Sequence, residues 1–156
     1  MTEPDPTRVV ADADVLAADL LVGGDARDAL DHVRRHSWVA LVASDPLLDD
    51  CEAVVAALAD ADLAAAHRAK LDECRVRVDH PDGDHPALAS AAAGDAAHVL
   101  SFDDRLQGAA AGVEIRARVA TSVKRPAAFA RLFDPGRLWP VVGDGEYPGS
   151  DRDPRT

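Results

Sequence analysis

Carboxylates gather at the ends of apolar runs along this chain. Asp12 and Asp14 follow Arg8-Val9-Val10-Ala11, and Asp103 and Asp104 follow Ala97-His98-Val99-Leu100. Asp49, Asp50 and Glu52 come shortly after Trp38-Val39-Ala40-Leu41-Val42-Ala43, and Asp84 stands just ahead of an Ala-rich stretch. Carboxylates converging on one pocket repel one another unless a cation joins them, and an all-oxygen donor set favours a hard divalent ion such as Mg²⁺ or Mn²⁺. The chemistry such a site offers is activation of water and neutralisation of negative charge in a transition state.

The flanking sequence says which elements must position these groups. Arg8–Ala11 and Trp38–Ala43 are apolar, β-branched runs that read as buried strands, as does Ala97–Leu100. Arg75-Val76-Arg77-Val78 alternates strictly and suits an edge strand, and a further strand is expected near Val113 to Val119. Between them lie helical patterns. One runs from a cap at Asp14 to Val22, and a second from Asp25 to about His36, after the Gly23-Gly24 break. A third opens at Ser44-Asp45-Pro46 and carries Leu47, Leu48, Cys51, Val54, Val55 and Leu58 at helical spacing. Asp60 to Cys74, the Ala-rich stretch after Asp84-His85-Pro86 up to Gly94, and Arg125 to about Phe133 complete the helices. Strands alternating with helices predict a three-layer α/β/α sandwich with a mainly parallel central sheet. Ligands of such sheets sit beyond the carboxyl ends of the strands, where Asp12 and Asp103 fall. Residues 1–7 and the Pro/Gly-rich tail 134–156 read as loop, partly disordered, around a domain spanning 8–133.

At these positions the chain resembles the PIN domain nucleases. Val9-Val10-Ala11-Asp12-Ala13-Asp14-Val15-Leu16 is similar to that family's opening strand and acidic motif, with Asp12 in the place of its first metal-binding Asp. Ser44-Asp45-Pro46-Leu47-Leu48-Asp49-Asp50-Cys51 resembles the segment holding the family's helical acid; matching apolar positions puts Asp50 there, with Asp49 and Glu52 as other registers. Ser101-Phe102-Asp103-Asp104-Arg105-Leu106 is similar to the Thr-x-Asp-x-x-Leu signature, so Asp103 corresponds to a metal-binding Asp and Ser101 to the Thr. Asp84 falls near the remaining Asp, and Pro126-Ala127-Ala128-Phe129 resembles the closing helix. The resemblance covers residues 8 to about 133. It implies a metal-dependent ribonuclease in which Asp12, Asp50 and Asp103 hold Mg²⁺ or Mn²⁺, Asp84 completes the cluster, and Ser101 orients a carboxylate or phosphate. It also implies RNA as the partner, with an antitoxin protein and a homodimer as further expectations. The departures are Ala13 for the usual hydroxyl, Asp50 in place of the longer Glu, and Arg105 where active relatives often carry another acid.

Composition bears on the same question. The chain has 156 residues and a formal net charge of −11, with 23 Asp against 5 Glu and 15 Arg against 2 Lys. Such a bias resembles that of halophilic proteins, in which short hydrated carboxylates keep the surface soluble and concentrated salt screens their repulsion. A uniform surface of this sign would repel a phosphate backbone. Yet between Arg105 and Phe133 six basic residues (Arg105, Arg116, Arg118, Lys124, Arg125 and Arg131) face Glu114 alone, a net of +5 that leaves −16 on the rest. Arg105, Arg116, Arg118, Lys124 and Arg125 are therefore the expected phosphate contacts.

Two other functions fit the residues. Asp12-Ala13-Asp14-Val15-Leu16 also resembles the opening motif of haloacid-dehalogenase-type phosphatases, with Asp12 as nucleophile, Asp14 as acid/base and Lys70 or Lys124 as clamp. A PIN-like module that binds RNA or protein without cleaving is the other. No apolar run reaches the ~20 residues that span a bilayer and the start lacks a basic leader, so a cytoplasmic protein is expected.

Overall fold

A computed structural model describes residues 4–83, 85–107 and 121–155. Asp84, Arg116, Arg118 and the strand expected near Val113 to Val119 lie outside those residues. The described elements alternate in type: β1 (Asp5–Ala11), α1 (Ala13–Leu21), α2 (Gly24–Arg34), β2 (Ala40–Ser44), α3 (Asp45–Leu58), α4 (Ala61–Cys74), β3 (Arg75–Val78), α5 (Pro86–Ala93), β4 (Ala96–Leu100), α6 (Asp104–Gln107), β5 (Ser122–Lys124), α7 (Pro126–Leu132) and α8 (Pro135–Val142).

The strands form one parallel sheet in the order β3-β2-β1-β4-β5 within a three-layer α/β/α sandwich, as the alternation predicts. β1 and β4 are the buried centre. Val9, Val10, Ala11, Val99 and Leu100 are wholly inaccessible, which is why both strands read as continuous apolar runs rather than alternating ones. β3 is the edge that its alternation called for. Gly94 is fixed by packing, since a Cβ there would stand 2.6 Å from Val42 Cγ1. The order makes the functional consequence. The chain builds outward through β2 and β3 on one side of β1, then returns to lay β4 and β5 on the other, so β1 and β4 flank the switch point where α/β sheets open a crevice.

Several boundaries differ from the sequence reading. β1 starts at Asp5 rather than Arg8, because Asp5 Oδ1 folds onto the Thr7 N–H and hydroxyl (2.8 and 2.6 Å) and the Asp5 N–H donates to Asp95 O, drawing a segment expected to be disordered into the sheet. Asp12, not Asp14, caps α1. β5, at Ser122–Lys124, is too short to show a periodicity. The tail is the largest departure. It forms α8 and then doubles back onto the carboxyl end of α2, where Arg152 donates to His36 O (2.8 Å), Asp151 accepts from Ser37 N (2.8 Å) and Arg155 forks onto Asp31 (2.9 and 2.8 Å). Its Pro and Gly residues suggested loop, whereas its Arg and Asp residues satisfy helix-end groups that would otherwise be orphaned.

Phe129 of α7 is fully buried and meets His98 of β4 edge-on (centroids 5.3 Å) and Phe133 in a stack (4.8 Å). Burial, followed by the charge of Lys124, pushes the His98 imidazole down to about 4. A histidine that stays neutral when folded binds its proton more readily when unfolded, so stability is lost as pH falls from about 6.5 toward 4. Denaturant titrations are expected to show a loss on the order of 1–2 kcal/mol across that window. His98→Gln should flatten this part of the profile.

Candidate functional site

The site is assembled by the carboxyl ends of β1 and β4. Register pairs Ala11 with Leu100, and Asp12 N donates to Leu100 O (2.8 Å), so Asp12 and Ser101 leave the sheet side by side. Asp12 is only 8 % exposed and Ser101 is fully buried. Oδ1 of Asp12 accepts the Ala13 N–H at 2.8 Å, and Oδ2 accepts the Ser101 hydroxyl at 2.8 Å. Ser101 Oγ in turn accepts the Asp103 N–H at 3.0 Å, so one hydroxyl ties the two predicted metal-binding aspartates together.

Asp14 enters the same constellation, although the sequence reading made it a cap and gave it chemistry only in the phosphatase alternative. Because α1 opens at Ala13, Asp12 takes the cap and Asp14, in the first turn, accepts the Phe102 N–H through Oδ2 (3.2 Å). Its Oδ1 is buried with no hydrogen-bond partner among the described residues. Burial, then the charge of Asp12 and to a smaller extent that of Asp103, raises the Asp14 carboxyl above the usual range. His85, which the sequence reading places only at the start of a helix, is the other group at the site. Its Nδ1 accepts Ala87 N–H (3.2 Å) at the start of α5, which leaves Nε2 3.9 Å from Asp12 Oδ2. A His directly before a helix-opening Pro was the available signal, because an Ncap imidazole accepts through one nitrogen and presents the other.

The remaining predicted residues are more dispersed. Asp50 is exposed on α3 and has no hydrogen bond or ion pair among the described residues, while Asp49 and Glu52 are drawn to Arg68 (2.7 and 3.4 Å). Asp103 is gripped by Arg105, whose Nε lies 3.1 Å from Oδ1 and whose terminal nitrogen lies 3.0 Å from Oδ2; this contact holds the Asp103 carboxyl below the usual range. Arg125 pairs with Asp104, and the Lys124 ammonium sits 3.4 Å from His98 Nδ1. Thus the three phosphate-contact candidates that are described each face a partner within the chain.

Beside the aspartates lies a second polar network that sequence reasoning missed. Fully buried Ser44, at the end of β2, caps α3 through Leu47 N (3.3 Å), accepts the Ser90 hydroxyl (3.0 Å) and reaches His80 Nε2 (2.9 Å). With Nδ1 of His80 directed at Pro81 O (2.9 Å), the Ser44 proton is left to donate to Nε2. Ser44→Ala should leave the buried Ser90 hydroxyl proton without its acceptor and remove a cap, at a cost of about 2 kcal/mol in chemical denaturation.

Oxygen donors, a buried carboxylate oxygen without a partner and two aspartates joined through one hydroxyl suit a hard divalent cation in kind. Among the described residues, however, no three Asp, Glu, His or Cys side chains are gathered closely enough to hold one.

The chain belongs to DUF7384, a family of unknown function whose model matches residues 3–155. No curated protein and no solved structure matches it. Among the described residues, no helix is long and apolar enough to cross a membrane.

Proposed function

We propose that this protein is a PIN-like, metal-dependent ribonuclease whose site is the carboxyl end of β1 and β4. The observation that carries the reading is the Asp12–Ser101–Asp103 bridge at the switch point of the sheet, with the unpartnered Asp14 oxygen beside it. Nothing in the packing of β1 calls for a charge at its buried end, whereas a cap could be supplied by Ser or Asn equally well.

The ion, Mg²⁺ or Mn²⁺, would be held by Asp12 and Asp103, with Asp50 and Asp84 as the outer members of the set. Bound there, it would supply Lewis acidity toward a phosphodiester and its attacking water. The chain's own groups do the rest. The Ser101 hydroxyl fixes the rotamer of Asp12 and, through the Asp103 N–H, the direction in which Asp103 leaves β4. Arg105 stands at the rim, within reach of an incoming phosphate. Arg116, Arg118, Lys124 and Arg125 would supply the cationic segment toward RNA, Arg125 on leaving Asp104 and Lys124 on leaving His98. A homodimer and an antitoxin partner belong to the same reading.

Three functions separate in one assay series at molar salt. Single-stranded RNA cut in the presence of Mn²⁺, with the cut lost in Asp12→Asn and in Asp103→Asn, supports the nuclease. Turnover of p-nitrophenyl phosphate with a phosphorylated Asp12 establishes a phosphatase instead. Against the latter, neither lysine forms an ion pair with Asp12: Lys124 faces His98, and Lys70 lines a cavity of about 660 Å³ shared with Leu16, Leu41 and Arg152. RNA bound but never cut would make the protein a binding module.

A further inference from the structure

Both oxygens of the Asp103 carboxylate are already taken, and by a cation of the chain itself. Oδ1 accepts the backbone N–H of Arg105 at 2.9 Å and its Nε at 3.1 Å, and Oδ2 accepts a terminal guanidinium nitrogen at 3.0 Å. The planar fork matches the carboxylate edge, which is the side a cation must approach. Asp103 has only 25 % of its side chain exposed, while Arg105 has 91 %. The guanidinium therefore lies on the outside of the site, and Asp103 is its sole partner among the described residues. A neighbouring pair differs in kind: Arg125 reaches Asp104 from another element, just past the carboxyl end of β5.

Two consequences follow from where the fork sits. A divalent ion that takes Asp103 across the carboxylate edge has to displace the guanidinium, and an exposed ion pair of this type is cheap to open. Once displaced, the guanidinium remains two residues from Asp103 with its donors free, beside the bridge of Asp12 and Ser101. The group best suited to that released fork is a phosphate oxygen pair.

On the metal-site reading given above, we infer that Arg105 is an exchanging counter-ion: it neutralises Asp103 in the free protein and passes to the substrate phosphate when a divalent cation takes Asp103. Cation and phosphate then bind cooperatively, because each relieves the contact that opposes the other. Linkage makes the effect reciprocal, so phosphate tightens the cation by the factor by which the cation tightens phosphate. It also accounts for the open arrangement of the aspartates, since one of them is turned to an internal partner.

The test is Mn²⁺ affinity, read from the free-ion paramagnetic resonance signal, for the full chain, Arg105→Ala and Arg105→Lys. Each is titrated with and without saturating uridine 3′-monophosphate, and ion–nucleotide association in buffer is subtracted. In the native chain the nucleotide should tighten Mn²⁺ about fivefold. Arg105→Ala should bind Mn²⁺ about threefold more tightly without nucleotide, and the nucleotide should then add less than about twofold. Loss of a positive charge alone would tighten the ion but leave the nucleotide effect in place, so the second quantity separates exchange from simple repulsion. Arg105→Lys keeps the charge without the fork and should also lose most of the nucleotide effect.

If Mn²⁺ binds all three proteins with the same nucleotide effect, the exchange is overturned while the metal-site reading stands. Binding confined to Arg105→Ala overturns the exchange, because Arg105 then blocks Asp103 instead of yielding it, and overturns the native chain as a metalloenzyme. Binding to none overturns both. Arg105 is almost wholly exposed, so far-UV circular dichroism should confirm that its variants fold.

Discussion

Asp12→Asn is expected to lower cleavage of single-stranded RNA about a thousandfold while leaving the fold intact. Asn retains an acceptor for the Ala13 N–H, and its amide can donate to Ser101 Oγ, so the cap and the bridge both survive. What is lost is the charge, and with it the several kcal/mol of transition-state stabilisation that a correctly held cation supplies. Thermal melting should place the variant within about 1 kcal/mol of the native chain. If Asp12 were only a helix cap, an equally good cap would change neither quantity; native-like cleavage by Asp12→Asn would therefore remove Asp12 from the chemistry.

Phe129→Ala should produce the largest loss of stability, about 3–5 kcal/mol in equilibrium denaturation. Phe129 is the largest of the fully buried side chains, and it joins α7 to the sheet through His98 and to the second aromatic, Phe133. A cavity there also removes the apolar surroundings that keep His98 neutral. The variant should thus lose much of the acid-limb slope described for the native protein, as well as its height. A cost below 1 kcal/mol would show that the α7–β4 contact is not the anchor that the burial indicates.

The sheet was legible because its central strands obey a simple rule. A strand covered on both faces has no polar alternation, and Val9–Ala11 and Val99–Leu100 show none, while Arg75–Val78 alternates because it lies at an edge. Asp12, Ser101 and Asp103 were legible for the same reason, since they are the first polar residues after buried strands. Asp14's place in the site was not, because α1 opens at Ala13, directly after its cap at Asp12, two residues earlier than the cap the sequence reading gave, and sequence patterns do not resolve boundaries that finely. The Ser44–Ser90–His80 network joins β2, α5 and the loop after β3 and leaves no spacing to read. The tail misled by composition: Pro and Gly suggested loop, yet Pro135 opens α8 from its first turn, and the arginines beyond it find the carbonyls and the carboxylate of α2. Of the basic segment, Arg105 and Arg125 are paired with the neighbouring Asp103 and Asp104, so clustering of charge along a chain is not the same as a free cationic surface.

The most direct test of the metal centre is anomalous diffraction from crystals grown at high salt with Mn²⁺, collected at the manganese edge. The account predicts a peak between the carboxylates of Asp12 and Asp103, with Arg105 turned away from Asp103. Absence of a peak, with Arg105 still forked onto Asp103, would contradict it.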